Sequence, residues 1–325
     1  MFWKGPVFTK TGFKGQGVSL ESCEIIEALD GEEDGIIVPL FRNCHTHLGD
    51  SLARKELPEN LSLAELVGPS GWKHKWLAEN NLKDSIIYGL KEVISSGTGL
   101  IMDFREGGEA GLHLFDDLEY PGTIILLGRS EGNELLPGKN AGISSLVDVE
   151  NANEIAALAH EKNGLVGIHH SEDCREDIEP LIDLHPDFVV HMCHASDNDL
   201  EKIKEAEISV VVCPRSNAYF GNRAPLEKMI SLDLDIGFGT DNGMLCSANM
   251  IDEIRFIRKE FRNLSLHSIL SIACFGLNDM FNKDGTSTYS NLNQCGWILL
   301  SRADGDEYES VFNSDSKVLG IRWRN

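Results

Sequence analysis

The sequence predicts an α/β fold, a (β/α)8 TIM-like barrel with a small β-sandwich built from both chain termini. Three observations carry this. From residue 36 onward, short apolar runs alternate eight times with helical stretches, over about 250 residues, which is the size and rhythm of such a barrel. Both ends of the chain are instead short, glycine-punctuated β segments. Side chains able to bind a metal cluster where the apolar runs stop, and in a barrel of parallel strands those ends share one face. The competing architecture, a doubly wound open sheet, normally carries a glycine-rich phosphate loop after its first strand, and the chain has none there. The expected division is residues 1–35 plus 284–325 for the sandwich and 36–283 for the barrel.

Taken in order, Val7–Thr9, Val18–Glu21 and Ile25–Leu29 read as strands, closed by the Asp30–Gly35 turn. So small a segment must pack on something else. The run Ile36–Leu40 then leads into Phe41-Arg42-Asn43-Cys44-His45-Thr46-His47 as the first barrel strand. A long loop with Gly68–Trp76 follows, then a helix near 82–96 and a second strand, Thr98–Phe104, ending in Arg105 and Glu106. A helix is expected over 110–118, a third strand at Thr123–Leu127 and a fourth at Ala141–Leu146. The stretch 151–162 sets Ile155, Ala156, Leu158 and Ala159 on one side of a helix. Leu165–His169, Phe188–His191, Ile208–Cys213 and Ile236–Asp241 are strands five to eight, with helices near 176–184, 197–206 and 248–261. Gly296–Ser301, Tyr308–Phe312 and Val318–Trp323 read as the C-terminal strands.

Composition narrows the function. With 29 basic against 52 acidic residues the formal charge is -23. Such a surface repels phosphate backbones and anionic headgroups, so neither nucleic acid nor membrane is an expected partner. The same charge would also serve solubility in a salty cytoplasm. Eight cysteines are scattered without a CxxC pair, a pattern of reduced thiols rather than disulfides or zinc fingers. Cys44, Cys193 and Cys213 sit in or beside apolar segments, where a free thiol behaves as a small hydrophobe. No window approaches the roughly 20 apolar residues of a membrane span, and the first residues carry no cleavage pattern. A cytoplasmic enzyme is the expectation.

His45 and His47 lie two apart on a strand, so both imidazoles project to the same side. Two such nitrogens are half of a tetrahedral site. His169 ends the fifth strand, His191 the sixth and Asp241 the eighth. His45, His47, His169 and Asp241 together would hold a divalent metal and leave a position for water. A lone histidine after a strand is ordinarily a hydrogen-bonded surface group; four groups at matching strand ends are not explained that way.

These stretches resemble the amidohydrolase superfamily, in particular the branch holding triazine hydrolases, adenosine-type and guanine deaminases and archaeal chlorohydrolase-like proteins. The resemblance rests on Val38–His47, Ile168-His169-His170-Ser171-Glu172, His191-Met192-Cys193-His194, Val212-Cys213-Pro214-Arg215-Ser216-Asn217 and Gly237–Asn242. They fall in the family's order. It implies metal on His45, His47, His169 and Asp241. Its His-two residues-Glu pattern selects His169 and makes Glu172 the proton shuttle, with His170 as the shifted alternative. Glu172 would also suit a helix N-terminus. By the same resemblance His191 orients the water and Asp241 also accepts a proton. His194 is expected to stand behind the ligands or to be structural, and Ser216 and Asn217 to shape their loop.

Binuclear members bridge two metals with a lysine ending the fourth strand. Ala141–Leu146 contains none and Lys139 precedes it, so one metal is expected, zinc first and iron second. The terminal β segments are also shorter than in typical deaminases of the branch. The implied activity is deamination of a purine-, pyrimidine- or triazine-like N-heterocycle by attack of a metal-activated water. Opening of a cyclic amide or loss of halide is the alternative chemistry, and a non-catalytic metal-binding scaffold the alternative class. Trp72 and His74 lie in the long loop, where the Trp either stacks on a flat ring or packs the loop. Arg105 and Arg129 either grip a substrate anion or pair with Glu106 or Glu131. A homodimer, the commonest closed assembly, is allowed.

Overall fold

The computed structural model describes residues 1–28, 30–131, 134–283 and 296–323. Leu29, at the end of the expected 25–29 strand, and residues 284–295 and 324–325 of the C-terminal β segment lie outside the described residues. The centre is a parallel sheet of strands Phe41–His47, Thr98–Arg105, Thr123–Gly128, Asn140–Ile143, Val166–His170, Phe188–His191 and Ser209–Val212. Each pairs with the next in chain order. The eighth strand is broken into two pieces. Ile236–Phe238 pairs with the seventh strand, and Asp241–Asn242 pairs with Thr46 and His47 of the first. One run of chain thus supplies both edges, and the sheet closes on itself through Gly239 and Thr240. Gly239 passes so near the first strand that a Cβ there would stand 2.7 Å from the His45 Cβ.

Alternation sorts the strand residues into two layers. Leu100, Met102, Phe104, Ile125, Leu127, Phe188, Val190, Val211 and Cys213 form the interior cluster. Val166, Ile168, Val189, Val210 and Val212 turn the other way and join the helices through residues such as Ile155, Leu181, Leu200 and Ile254. Cys44, Cys193 and Cys213 are buried, and burial pushes the Cys44 thiol up to about 12, which removes it from thiolate chemistry near neutral pH.

Two expectations are corrected. Ile36–Pro39 is not part of the first barrel strand. It pairs antiparallel with Gly296–Leu300 and meets Val7 in parallel, inside a five-stranded sheet. The partner changes within one residue: the Leu40 amide donates to Gly296 O at 3.3 Å, the Phe41 amide to Gly97 O at 3.0 Å. Pro39, which has no N–H to donate, still pairs with Trp297, and the extended chain changes sheets between Leu40 and Phe41. The second correction concerns Tyr308–Phe312, which lies in a helix, Glu307–Phe312, capped by Asp306. Tyr308, Val311 and Phe312 are spaced i, i+3, i+4, the helical and not the strand period.

The five-stranded sheet brings both chain ends together: Val318–Trp323, Gly296–Leu300, Ile36–Pro39, Val7–Thr9 and Gly12–Lys14. A three-stranded sheet is built from Phe2–Lys4, Gly17–Ser19 and Ile25–Ile26. Val18 of the smaller sheet clusters with Val7, Ile37 and Leu299 of the larger.

The helix Asp197–Glu205 shows how local chemistry sets a boundary. Ser196 and Asp199 form a reciprocal capping box. Arg175 grips Asp199 with two hydrogen bonds of 2.7 Å. Ser196→Ala should cost about 1 kcal/mol in urea unfolding. The Arg175 hydrogen bonds hold the Asp199 carboxyl at about 2, against 3.8 for a free aspartate. Its contribution to stability is therefore full above pH 3.8 and lost as pH falls through about 2. Asp199→Asn should flatten the stability curve over that interval.

Candidate metal centre

The closed barrel brings the ends of three strands, the first, fifth and eighth, to one point. Ligating atoms of His45, His47, His169 and Asp241 all lie within 4.8 Å of one another. His45 Nε2 is 3.1 Å and His47 Nε2 3.5 Å from Asp241 Oδ1, while His169 Nε2 is 3.2 Å from His45 Nε2. The floor beneath is apolar, with the Phe104 ring edge-on to His45 at 4.5 Å. Asp241 and His191 hold left-handed backbones, φ 58° and 78°, as does Ser171 at 50° just before Glu172. Non-glycine residues avoid this region unless the surroundings enforce it, and such strain gathers at functional sites.

The donor set suits a divalent cation. His169 Nδ1 is 3.1 Å from Ile143 O, and His47 Nδ1 is 2.9 Å from Glu106 Oε1. Each Nδ1–H donates outward, so each Nε2 lone pair points inward. Burial lowers the pKa of all three histidines, His47 to about 3 with Lys73 adding to the effect. They are neutral at pH 7, the form that ligates. Burial alone would raise Asp241, but its hydrogen bond to His45 and the surrounding imidazoles hold it well below the usual carboxylate range. Inward lone pairs of two or more nitrogens and a carboxylate repel one another; a cation between them turns that repulsion into coordination.

Beside this set stand Glu172 and His191. Glu172 Oε2 is 3.4 Å from His191 Nε2, and burial pushes the Glu172 carboxyl up to about 7 against the opposing pull of His191. The Asn217 amide donates to His191 Nδ1 at 2.9 Å, which leaves the His191 proton on Nε2, toward Glu172. Ser216 donates to Asp241 Oδ2 at 2.5 Å. Above them opens a cavity of about 400 Å3, walled by Leu63, Ala64, Val67 and Pro69 on one side and Ser144, Ser145 and Asp148 on another.

Residues 139–284 match the amidohydrolase family. A protein of Archaeoglobus fulgidus named an aminohydrolase is 33% identical over 264 residues, 78% of each chain. The chain belongs to the amidohydrolase family. A 5-methylthioadenosine/S-adenosylhomocysteine deaminase of Haloarcula marismortui is 24% identical over 73% of this chain and 67% of its own. The Helicobacter pylori aminofutalosine deaminase, solved with methylthio-coformycin, superposes with a TM-score of 0.69 at 16% identity, covering 98% of both chains; that likeness is one of fold. As an amidohydrolase the protein is a metal-dependent hydrolase of carbon–nitrogen bonds.

In this amidohydrolase the adjacent histidines separate cleanly. His169 stands with His45, His47 and Asp241, the groups that could hold a metal ion, whereas His170 is buried with Nε2 on Asp177 O and Nδ1 on Ser171 Oγ. His194 is exposed and meets Asn222. Ser216 and Asn217, expected to shape a loop, instead hold Asp241 and His191. Among the expected substrate contacts, Arg105 is wholly buried and pairs with Asp103 and Glu106. Arg129 reaches the cavity wall while pairing with Glu106 at 3.3 Å. Trp72 packs near Trp76, Leu66 and Met244, and His74 is half-buried on the same helix; the described residues lining the cavity include neither.

Sequence reasoning missed Lys73 and the central part played by Glu106. Glu106 meets His47, Lys73, Arg105 and Arg129 together, and this surplus of cations holds its carboxyl well below the ordinary range despite burial. The signal was a carboxylate ending a strand. Lys73 had a weaker one, a lysine between Trp72 and His74 in the loop that covers the barrel mouth.

Proposed function

We propose that the protein deaminates an amino-substituted N-heterocycle of the purine class, using one divalent ion, zinc first, on His45, His47, His169 and Asp241. The observation that carries this is the juxtaposition of that donor set with Glu172 and His191, two proton-handling groups that a mere metal binder does not need. A bound divalent cation would supply Lewis acidity and bring the pKa of a water toward 7. Glu172 takes a proton from the attacking water and delivers it to the leaving nitrogen. A carboxyl raised toward neutrality does both steps well, because it is neither too weak a base nor too weak an acid at pH 7. His191, its tautomer set by Asn217, presents Nε2–H to orient the water, and Ser216 keeps Asp241 turned toward the histidines. Water adds at the amidine carbon, the carbon–nitrogen bond breaks, and ammonia leaves with the proton carried by Glu172.

The cavity narrows the class. Among the described residues that line it, the carboxylates Asp148, Glu172, Asp173, Glu176 and Asp241 face two cations, Lys73 and Arg129, and Glu106 holds both. A neutral base or nucleoside suits that wall and a phosphorylated one does not. The relatives named as nucleoside deaminases support the same class. A panel of aminopurines, adenosine-type nucleosides and aminopyrimidines assayed for ammonia tests the proposal. Release from at least one nucleoside is expected, with its 5′-monophosphate slower by ~10-fold or more in kcat/KM through like-charge repulsion. Silence across the panel, or a product that has gained water without losing ammonia, counts against it. We also propose that the two end sheets form one β-sandwich unit built from both chain ends, with Ile36–Pro39 belonging to it rather than to the barrel, supported by the apolar cluster they share.

A further inference from the structure

We propose that Lys73 is a positioning residue that fixes two metal ligands at once, His47 through Glu106 and Asp241 through Asn242. Lys73 belongs to the helix Trp72–Glu79, outside the barrel sheet, whose Trp76 and Leu77 pack on Ala53, Leu66 and Met244. Its side chain turns the other way and is buried, 3% exposed, in the barrel mouth. The ammonium donates to Asn242 Oδ1 at 2.7 Å and forms ion pairs with Glu106 Oε1 at 2.8 Å and Asp50 Oδ2 at 3.2 Å. The ammonium is thus hydrogen-bonded to Asn242 and held between two carboxylates, all of them groups of the protein itself.

The chemistry of each partner transmits the constraint. An ammonium only donates, so it forces Asn242 to present Oδ1. The amide nitrogen must then face Asp241, and it does, donating to Oδ1 at 3.0 Å. Without Lys73 the amide is free to turn and set oxygen against oxygen. Glu106 Oε1 accepts from His47 Nδ1, the contact that aims His47 Nε2 at the ligand cluster. Lys73 on that same oxygen keeps it in place. Arg105 and Arg129 neutralise Glu106 as well, but of these three cations Lys73 is the one that also contacts Asn242. Asp50 completes the link, accepting from the Met244 amide at 3.0 Å just beyond the eighth strand.

The inference rests on the metal-centre proposal above, and zinc affinity separates the two. Apo protein prepared with a chelator is titrated with zinc against a chromophoric competitor, comparing wild type with Lys73→Met. Because Lys73→Met strands Asp50, a second pair, Asp50→Asn against Asp50→Asn/Lys73→Met, removes the lysine without leaving that charge uncompensated. Loss of Lys73 should weaken zinc binding by about 10–100-fold in each pair, as loss of a group behind a metal ligand typically does. It should also shrink the rise in Tm that zinc produces, which a purely structural defect would leave intact. Affinities within twofold in the second pair overturn the role of Lys73 alone. A wild-type protein that takes up no zinc overturns the metal centre and, with it, this role.

Discussion

Glu172→Gln should lower kcat by about 10²–10⁴-fold, the range for removing a positioned proton-transfer group, while the bound metal per chain stays at the wild-type value. The side chain is isosteric and keeps its hydrogen-bonding capacity, but an amide neither accepts a proton from water nor returns one to nitrogen. Glu172 lies beside the ligand set rather than within it, 3.4 Å from His191, so the four donors are undisturbed. Elemental analysis and ammonia release on the same preparation give the two numbers required. Full turnover with glutamine at 172 would end the shuttle assignment, and metal loss together with turnover would move Glu172 among the ligands.

His169→Ala should abolish tight metal binding and reduce turnover to background, with the apo protein still folded. In the proposed site His169 supplies one of four donor atoms, and its Nδ1 is tied to the Ile143 carbonyl of the neighbouring strand. Three remaining donors make an open, weak site. The adjacent His170→Ala is the control that makes the result specific. His170 is buried, and its nitrogens meet Asp177 O and Ser171 Oγ, so its loss should cost about 1–3 kcal/mol of stability through the unpaired Asp177 and Ser171 groups and leave metal stoichiometry alone. The opposite pattern, metal lost with His170 and kept without His169, would reassign the fifth-strand ligand.

Much of this was readable along the chain because strand ends are local features. Hydrophobic alternation reports where a strand stops, and His45, His47, His169, His191 and Asp241 all stand at such stops. The barrel then converts equivalent positions in the sequence into neighbours in space. The errors came where extended chain has no local mark of its partner. Ile36–Pro39 and Phe41–His47 read as one run, yet hydrogen bonds on either side of Leu40 go to different sheets. Tyr308–Phe312 carries helical spacing over a single turn, but its Tyr, Val and Phe favour strands.

The one-dimensional pattern therefore determined the barrel and the residues offered as metal donors, since both follow from residue type and strand register, while the role proposed for Glu172 came from the family resemblance. Only the tertiary structure decided which polar groups stand behind them: Asn217 on His191, Ser216 on Asp241, and Glu106 with Lys73 on His47. Arginine, lysine and glutamate have long side chains whose partners depend on how loops cross the closed barrel. Contacts such as Lys73 to Asn242, 169 residues apart, exist only once the eighth strand has bent through Gly239 to meet the first.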